Sequence, residues 1–315
     1  MQLAGRGHQA QASTHTLRRA ARLLLLPRPN QILFPTLTPT LRGTGSGGSG
    51  GEEHAVPAAA TTRSTPCRVA FLTQASGHYT VFAQALWDSL EQHVLVGECE
   101  VHLLVFTDRM LPFAHPRVHS FRITKHLAWP WSTLMRPAQY MEHAAVLSRF
   151  THVFSIDVDM AFTGRATCKD LCYDTVAAYH PGYYGKPSSQ FSYERRQESS
   201  AYVDPATCDT YFAGGFYGGA TAHVMRVWER FLALVHQDAG KDLVAEWHDE
   251  SYMNRVWCTA PPAHRLTPAF VFPEPSTSMD IRDVYKHLFA GPLKPNVEVN
   301  LLALNKDHKA MRSGT

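Results

Sequence analysis

The sequence predicts an α/β fold built on an open, largely parallel sheet, and three observations predict it. Val69-Ala70-Phe71-Leu72 and Val101 to Phe106 are short apolar runs, a helical pattern lies between them, and a third run, Val153-Phe154-Ser155-Ile156, halts at Asp157-Val158-Asp159. Such continuous apolar runs fit strands buried on both faces, as parallel strands covered by helices are. Strand, helix and strand within about forty residues make a βαβ unit.

In chain order, the first strand runs into the loop Gln74-Ala75-Ser76-Gly77. Phe82, Ala85, Leu86, Leu90 and Val94 then recur at helical spacing, and the second strand ends at Thr107-Asp108. A further helical stretch, Ala138 to Leu147, precedes the third strand. Ala213-Gly214-Gly215-Phe216-Tyr217-Gly218-Gly219 sets four glycines among aromatics, which suits either close approach of backbone to a ligand or a tight strand crossing. Trp247-His248-Asp249-Glu250 reads either as the start of an amphipathic helix or as a sugar site, where an aromatic ring packs on the sugar face and a carboxylate reaches the anomeric centre.

The 315 residues suffice for one large domain or two modest ones, and 30 Lys and Arg against 27 Asp and Glu leave a formal charge of +3. That balance, without basic blocks, excludes a nucleic-acid binder working by bulk electrostatics. Residues 1–66 differ from the rest: no acidic residue precedes Glu52, and a Gly/Ser stretch from Gly43 to Gly51 leads into an Ala/Thr/Pro-rich spacer. The segment is expected to be disordered, as a targeting peptide or as a solvated tail. No window reaches the ~18 apolar residues of a membrane span. Cys67, Cys99, Cys168, Cys172, Cys208 and Cys258 are too dispersed to read as a disulfide framework, and the single C-x-x-x-C offers half of a four-cysteine zinc site.

Open α/β sheets bind ligands outside the carboxyl ends of their strands, where Asp157 and Asp159 fall. Alternation along an extended chain sends residues i and i+2 to one side, so both carboxylates are expected to face one hard cation, Mg²⁺ or Mn²⁺, bridging two phosphates. An Asp-x-Asp by itself equally fits two solvated carboxylates in a turn.

Phe154-Ser155-Ile156-Asp157-Val158-Asp159-Met160, His180-Pro181-Gly182-Tyr183-Tyr184-Gly185, Phe191-Ser192-Tyr193-Glu194-Arg195-Arg196, Gly214-Gly215-Phe216-Tyr217-Gly218-Gly219 and Trp247-His248-Asp249-Glu250-Ser251 follow one another in the order and spacing of the family 6 glycosyltransferases. The chain resembles that family from residue 69 to residue 312. The resemblance implies a GT-A fold, a Rossmann-like nucleotide-sugar-binding sheet in a single catalytic domain over 67–315, closed by a basic lid at 303–315. The implied reaction moves GalNAc or Gal from a UDP-sugar, in α-1,3 linkage and with retention, to a β-galactoside of a glycolipid or glycoprotein glycan.

In that reading Asp157 and Asp159 hold Mn²⁺ and Glu250 is the nucleophile or the stabiliser of positive charge. Ala75, Ser76, Tyr79, Arg136, Asp157, Val158, Asp159, Gly214, Gly215 and Asp249 contact the donor, and the tail residues Lys306, His308 and Arg312 fold over its diphosphate. His180, Ser192, Trp247 and Glu250 meet the acceptor. The resemblance also implies the Golgi lumen or membrane, although residues 1–66 resemble neither the family's anchor nor its stem, and it allows a homodimer.

Small residues at Ala213, Gly214, Gly215 and Gly182 leave room for an N-acetyl group, which favours UDP-GalNAc over UDP-Gal. Two departures stand out. Gln74 replaces an aromatic in the uridine loop, and Leu266-Thr267-Pro268-Ala269-Phe270-Val271-Phe272-Pro273 lacks the family's acceptor-binding aspartate, leaving the need for fucose open. Two other functions compete: a degenerate relative that binds UDP and Mn²⁺ without transfer, and a metal-dependent phosphohydrolase.

Overall fold

Each apolar run of the first third becomes a strand in the computed structural model, which describes residues 67–124, 127–274, 299–304 and 306. Strands β1 (Arg68–Gln74) and β2 (Glu100–Thr107) pair in parallel from Arg68 opposite Glu100 onward. Helix α1 (Ala83–His93) connects them and buries Ala83, Leu86, Trp87 and Leu90 against the sheet, the face its sequence spacing sets. The expected first turn at Phe82 belongs instead to a 3-10 segment, Gly77–Phe82, whose amide at Gly77 donates to Asp108 Oδ1 at 2.9 Å.

Parallel strands β3 (Val118–Arg122) and β4 (His152–Ile156) flank β2 and β1. The helix expected over Ala138 to Leu147 is broken into Arg136–Met141 and Ala144–Leu147. At the break His143 turns its ring onto Phe121 and Phe106, with centroids 4.6 and 5.5 Å apart, a packing gain that local helix preference cannot match. Beyond β4 come β5 (Met160–Phe162), β6 (Val176–Tyr179) and β7 (Phe212–Ala220). They are followed by β8 (His264–Leu266), β9 (Phe272–Pro273) and β10 (Leu301–Ala303). The main sheet has the order β3-β2-β1-β4-β7-β6-β8, and β5-β10-β9 form a second, small sheet.

The Gly-rich segment is a strand and sits inside the sheet, antiparallel to both β4 and β6, so the sheet is parallel in its amino-terminal half and mixed beyond. Phe71, Phe154 and Phe216 stack ring to ring across β1, β4 and β7, at 5.2 and 5.6 Å between centroids of successive strands. Gly218 lies opposite Phe154 in register, and a Cβ on it would come 2.3 Å from that ring. Helix α2 (Thr221–Ala239) returns over the sheet and buries Val224, Trp228, Phe231 and Val235 at helical spacing. Helix α3 (His248–Thr259) follows and packs on β7 and α2.

The cysteines overturn the sequence-based expectation. Among the described residues all six are paired, as Cys67–Cys99, Cys168–Cys172 and Cys208–Cys258. The pairs are separated by 32, 4 and 50 residues, so two of the three are set by tertiary approach that spacing does not reveal.

Candidate active site

The carboxyl end of β4 and the amino-terminal half of antiparallel β7 meet at one edge of the sheet, where Asp157 N–H donates to Gly215 O at 2.9 Å. Asp157 leaves the strand and Val158 and Asp159 form a turn before β5. The extended alternation expected of this motif is therefore absent. The two carboxylates differ in exposure: Asp157 remains 37% exposed and Asp159 is 7% exposed. Val158 is buried in the core, so only its backbone faces the site.

Arg136 ties the site together. Its side chain, 13% exposed, donates to Asp249 Oδ2 at 2.8 Å and makes a short ion pair with Asp157 Oδ1. Burial opposes the guanidinium charge, but the two carboxylates outweigh it and hold its pKa well above the ordinary value. One side chain thus joins the end of β4 to the first turn of α3, with Arg136 and Asp249 standing 113 residues apart in sequence. A small cleft opens here between Thr133, Arg136, Gly214 and Asp249.

Glu250 lies in the same first turn of α3. Its Oε1 accepts from Tyr211 Oη at 2.9 Å and its Oε2 from Gly214 N–H at 3.0 Å. Burial pushes its carboxyl up to about 7; the two hydrogen bonds pull the other way, and the Asp249 and Asp157 charges push further up. A Cβ on Gly214 would stand 3.5 Å from Glu250 Cβ, an ordinary contact, whereas one on Gly215 would come 2.5 Å from Met160 Cε and 3.2 Å from Asp157 Oδ2. Two of the four glycines therefore face the site. Gly218 and Gly219 serve packing, the latter at φ +137° against the Asp174 backbone.

Three groups that sequence reasoning missed position Glu250. Tyr211 is the first, and burial together with the Glu250 charge holds its phenol far above the ordinary value, so it is a permanent donor. Asn254 is the second: buried one turn further along α3, it exchanges both hydrogen bonds with Phe212 of β7 at 2.8 and 2.9 Å and donates to Glu250 O at 3.0 Å. Asn254→Ala leaves the Phe212 amide and carbonyl unpaired. It is expected to lower stability by about 2–3 kcal/mol in denaturant melts and to reduce turnover by loosening Glu250. The third is Glu194 of the Phe-Ser-Tyr-Glu-Arg-Arg segment, which takes two bonds from the Arg196 guanidinium at 2.9 and 2.6 Å and one from Glu246 N–H at 2.7 Å. It fixes the turn leading into α3. The Cys208–Cys258 disulfide fastens the far end of the same helix. An isolated tyrosine or asparagine carries no pattern, and the motif that holds Glu194 does not show its partners, so only the fold reveals these roles.

The residues expected to meet the acceptor gather beside this centre. His180 N–H donates to Tyr211 O, and the His180 ring packs on Tyr183 and Tyr211 with centroids 4.9 and 5.7 Å apart. Burial, with Lys186 nearby, lowers its pKa to about 4. Nδ1 accepts from Gly182 N–H at 3.0 Å, so the neutral ring carries its proton on Nε2 and can donate outward. Ser192 Oγ is hydrogen-bonded to Tyr183 Oη. Trp247 is 50% exposed, and Trp129, also exposed, lies 4.3 Å from the His248 ring. By contrast, Pro268 to Phe272 are buried and Pro273, where the resemblance leads one to expect an aspartate, is half-buried.

Of the residues expected to contact the nucleotide, Ala75 is fully buried at the end of β1 and Ser76 opens the following turn. Tyr79 carries Lys306 Nζ 5.5 Å above its ring, and the same ammonium pairs closely with Asp159. Lys306 thus sits on a predicted metal ligand. His308 and Arg312, like most of the expected lid and all of residues 1–66, lie outside the described residues.

The glycosyltransferase family 6 profile matches residues 60–288. The chain is 32% identical over 276 residues to human globoside alpha-1,3-N-acetylgalactosaminyltransferase 1, covering 82% of this chain and 76% of the relative. It is 30% identical over 204 residues to rat histo-blood group ABO system transferase 1, covering 62% and 58%. Human alpha-1,3-galactosyltransferase 2 is 30% identical over 195 residues, covering 58% and 56%. All three are transferases, in line with a transfer reaction and not with a phosphohydrolase. A profile match over more than two thirds of the chain, on the mixed sheet and the carboxylate site described above, makes this chain a glycosyltransferase of family 6.

Proposed function

We propose that the chain transfers GalNAc from UDP-GalNAc, with retention and in α-1,3 linkage, to a β-galactoside acceptor with the help of Mn²⁺. The observation that supports this reading is Arg136, which gathers Asp157 and Asp249 around one cation beside Glu250, an arrangement suited to a metal-holding and a sugar-contacting carboxylate in one site.

The donor set suits a hard divalent ion. Asp157 and Asp159 offer only oxygen, and the Lys306 ammonium against Asp159 marks a position where positive charge is favoured. Asp157 and Asp159 would hold the ion, which when bound neutralises charge on the departing UDP. Arg136, held charged, fixes Asp157 and leaves Asp249 oriented toward the donor sugar. Lys306 would turn from Asp159 to the diphosphate, where a cation stabilises the leaving group and excludes water.

Glu250 can attack the anomeric carbon or stabilise its positive charge, and both roles need the ionised carboxylate. Tyr211 and the Gly214 amide aim it. His180 and Trp247 supply a hydrogen-bond donor and an exposed ring, which suits the polar edge and apolar face of a galactoside. The Cys208–Cys258 disulfide suits an oxidising compartment, in keeping with the Golgi lumen. No helix among the described residues is long and apolar enough to cross a membrane.

The test is UDP release from UDP-GalNAc and from UDP-Gal with Mn²⁺, with and without lactose or 2'-fucosyllactose. Acceptor-dependent release is expected, faster from UDP-GalNAc. Metal-dependent UDP binding without turnover would replace this reading with the degenerate binder. Donor choice has its own variant: Gly214→Ala fits sterically but narrows the wall beside Glu250, and should lower the UDP-GalNAc to UDP-Gal ratio of kcat/KM by about 10-fold.

A further inference from the structure

We propose that Cys67, Cys99, Cys168 and Cys172 form a tetrahedral zinc site when reduced, the two disulfides being the metal-free, oxidised form of the same cluster. Cys67 and Cys99 precede the neighbouring strands β1 and β2, held together by Glu100 N–H donating to Cys67 O at 2.9 Å. Cys168 and Cys172 bracket the one-turn helix Cys168–Leu171, which the Val94 to Ala166 bridge brings alongside. The four half-buried sulfurs, from three segments, all lie within 4.8 Å of one another. Sulfurs of different disulfides, on Cys99 and Cys168, are 3.8 Å apart.

That last separation is the edge of a zinc–thiolate tetrahedron, since Zn–S bonds of about 2.3 Å set the sulfurs about 3.8 Å apart. The sequence offered only a C-x-x-x-C half-site; folding delivers the other half. Crosslinking alone accounts poorly for Cys168 and Cys172. Cys172 N–H already donates to Cys168 O at 3.0 Å, and Thr167 and Asp170 cap the turn with 2.9 Å bonds, so a bridge across four residues restrains ends already fixed. A metal instead uses all four and joins the helix to both strands. The cluster lies at the amino ends of β1 and β2, opposite the carboxylates of the candidate active site, so the inference does not depend on the transfer reaction.

The chemistry balances with a dithiol as reductant. Two dithiols give up two electrons and two protons each, becoming cyclic disulfides, and leave four cysteine thiols. Zn²⁺ then displaces four protons to give a complex of four thiolates with net charge −2. Oxidation by two disulfide molecules reverses this and frees the ion.

The test titrates Co²⁺ and then Zn²⁺ into the full chain reduced with a phosphine, which converts each disulfide and one water into two thiols and a phosphine oxide. One equivalent of Co²⁺ should give the visible bands and the thiolate charge-transfer band of a four-sulfur tetrahedron, bleached by one equivalent of Zn²⁺. Both signals should vanish in Cys168→Ser/Cys172→Ser and persist in Cys208→Ser/Cys258→Ser. A folded, reduced chain without these bands, or bands that survive in Cys168→Ser/Cys172→Ser, overturns the proposal. If reduction unfolds the chain, Zn²⁺ should restore its circular dichroism, and failure to do so overturns the proposal equally.

Discussion

Replacing Glu250 by Gln should abolish transfer and at the same time stabilise the protein above neutral pH. In the proposed role the carboxylate acts where positive charge develops, so its loss should cost about 10³-fold in kcat, while UDP affinity, assigned above to Asp157, Asp159 and Lys306, stays within about twofold. The stability change follows from the raised pKa. An ordinary value near 4.5 in the unfolded chain rises to about 7 in the folded one, so between these values the folded chain holds a proton that the unfolded chain has lost. Stability from this group is therefore present below pH 4.5 and falls as pH rises to about 7. Gln has no such slope. Its amide oxygen can still accept from Gly214, and its NH₂ can donate to Tyr211 once that hydroxyl turns to Ser192 O, 3.3 Å away. The expected gain at pH 8 is on the order of 1–2 kcal/mol, below the full linkage value because the carboxylate still draws water. Thermal melts of both forms across this range check it, and parallel curves at all pH would sink the argument. The wild-type rate should rise with pH through about 7, whichever retaining route operates.

Replacing Arg136 by Met should be the most destabilising change in the site. Met matches the length of the stem but leaves Asp157 and Asp249 converging on a largely buried position without their shared cation. Breaking such a pair costs about 3 kcal/mol, because the remaining carboxylates are left uncompensated. Turnover should fall by at least about 10²-fold, as both carboxylates lose their aim. Arg136→Lys restores charge without the two-pronged geometry, and should recover more stability than activity. Equal recovery of both would show that charge alone matters here, and a Met variant as stable as wild type would refute the bridging role.

Much of the fold was legible where signals are local. The strands at Val69–Leu72, Val101–Phe106 and Val153–Ile156 and the helix between the first two were set by apolar runs and by helical spacing, which depend on neighbours a few residues apart. Asp157 and Asp159 were placed at a strand end for the same reason. The Gly-rich strand resisted because glycine carries no strand preference; its cause is Phe154, which needs the space over Gly218 and lies 64 residues upstream. The broken helix at His143 likewise answers to Phe121, which local propensity does not see.

By itself the sequence determined the fold class, the edge of the sheet on which the candidate site lies, and the residue types gathered there, since these follow from periodicity and from motifs read in order. Tertiary structure alone decided which groups act as one. Arg136 meets Asp249 across 113 residues, Tyr211 meets Glu250 across 39, and Cys99 meets Cys168 across 69. Such contacts are properties of packing, in which burial removes water and makes a charge seek the nearest partner in space, and linear order carries no record of that distance.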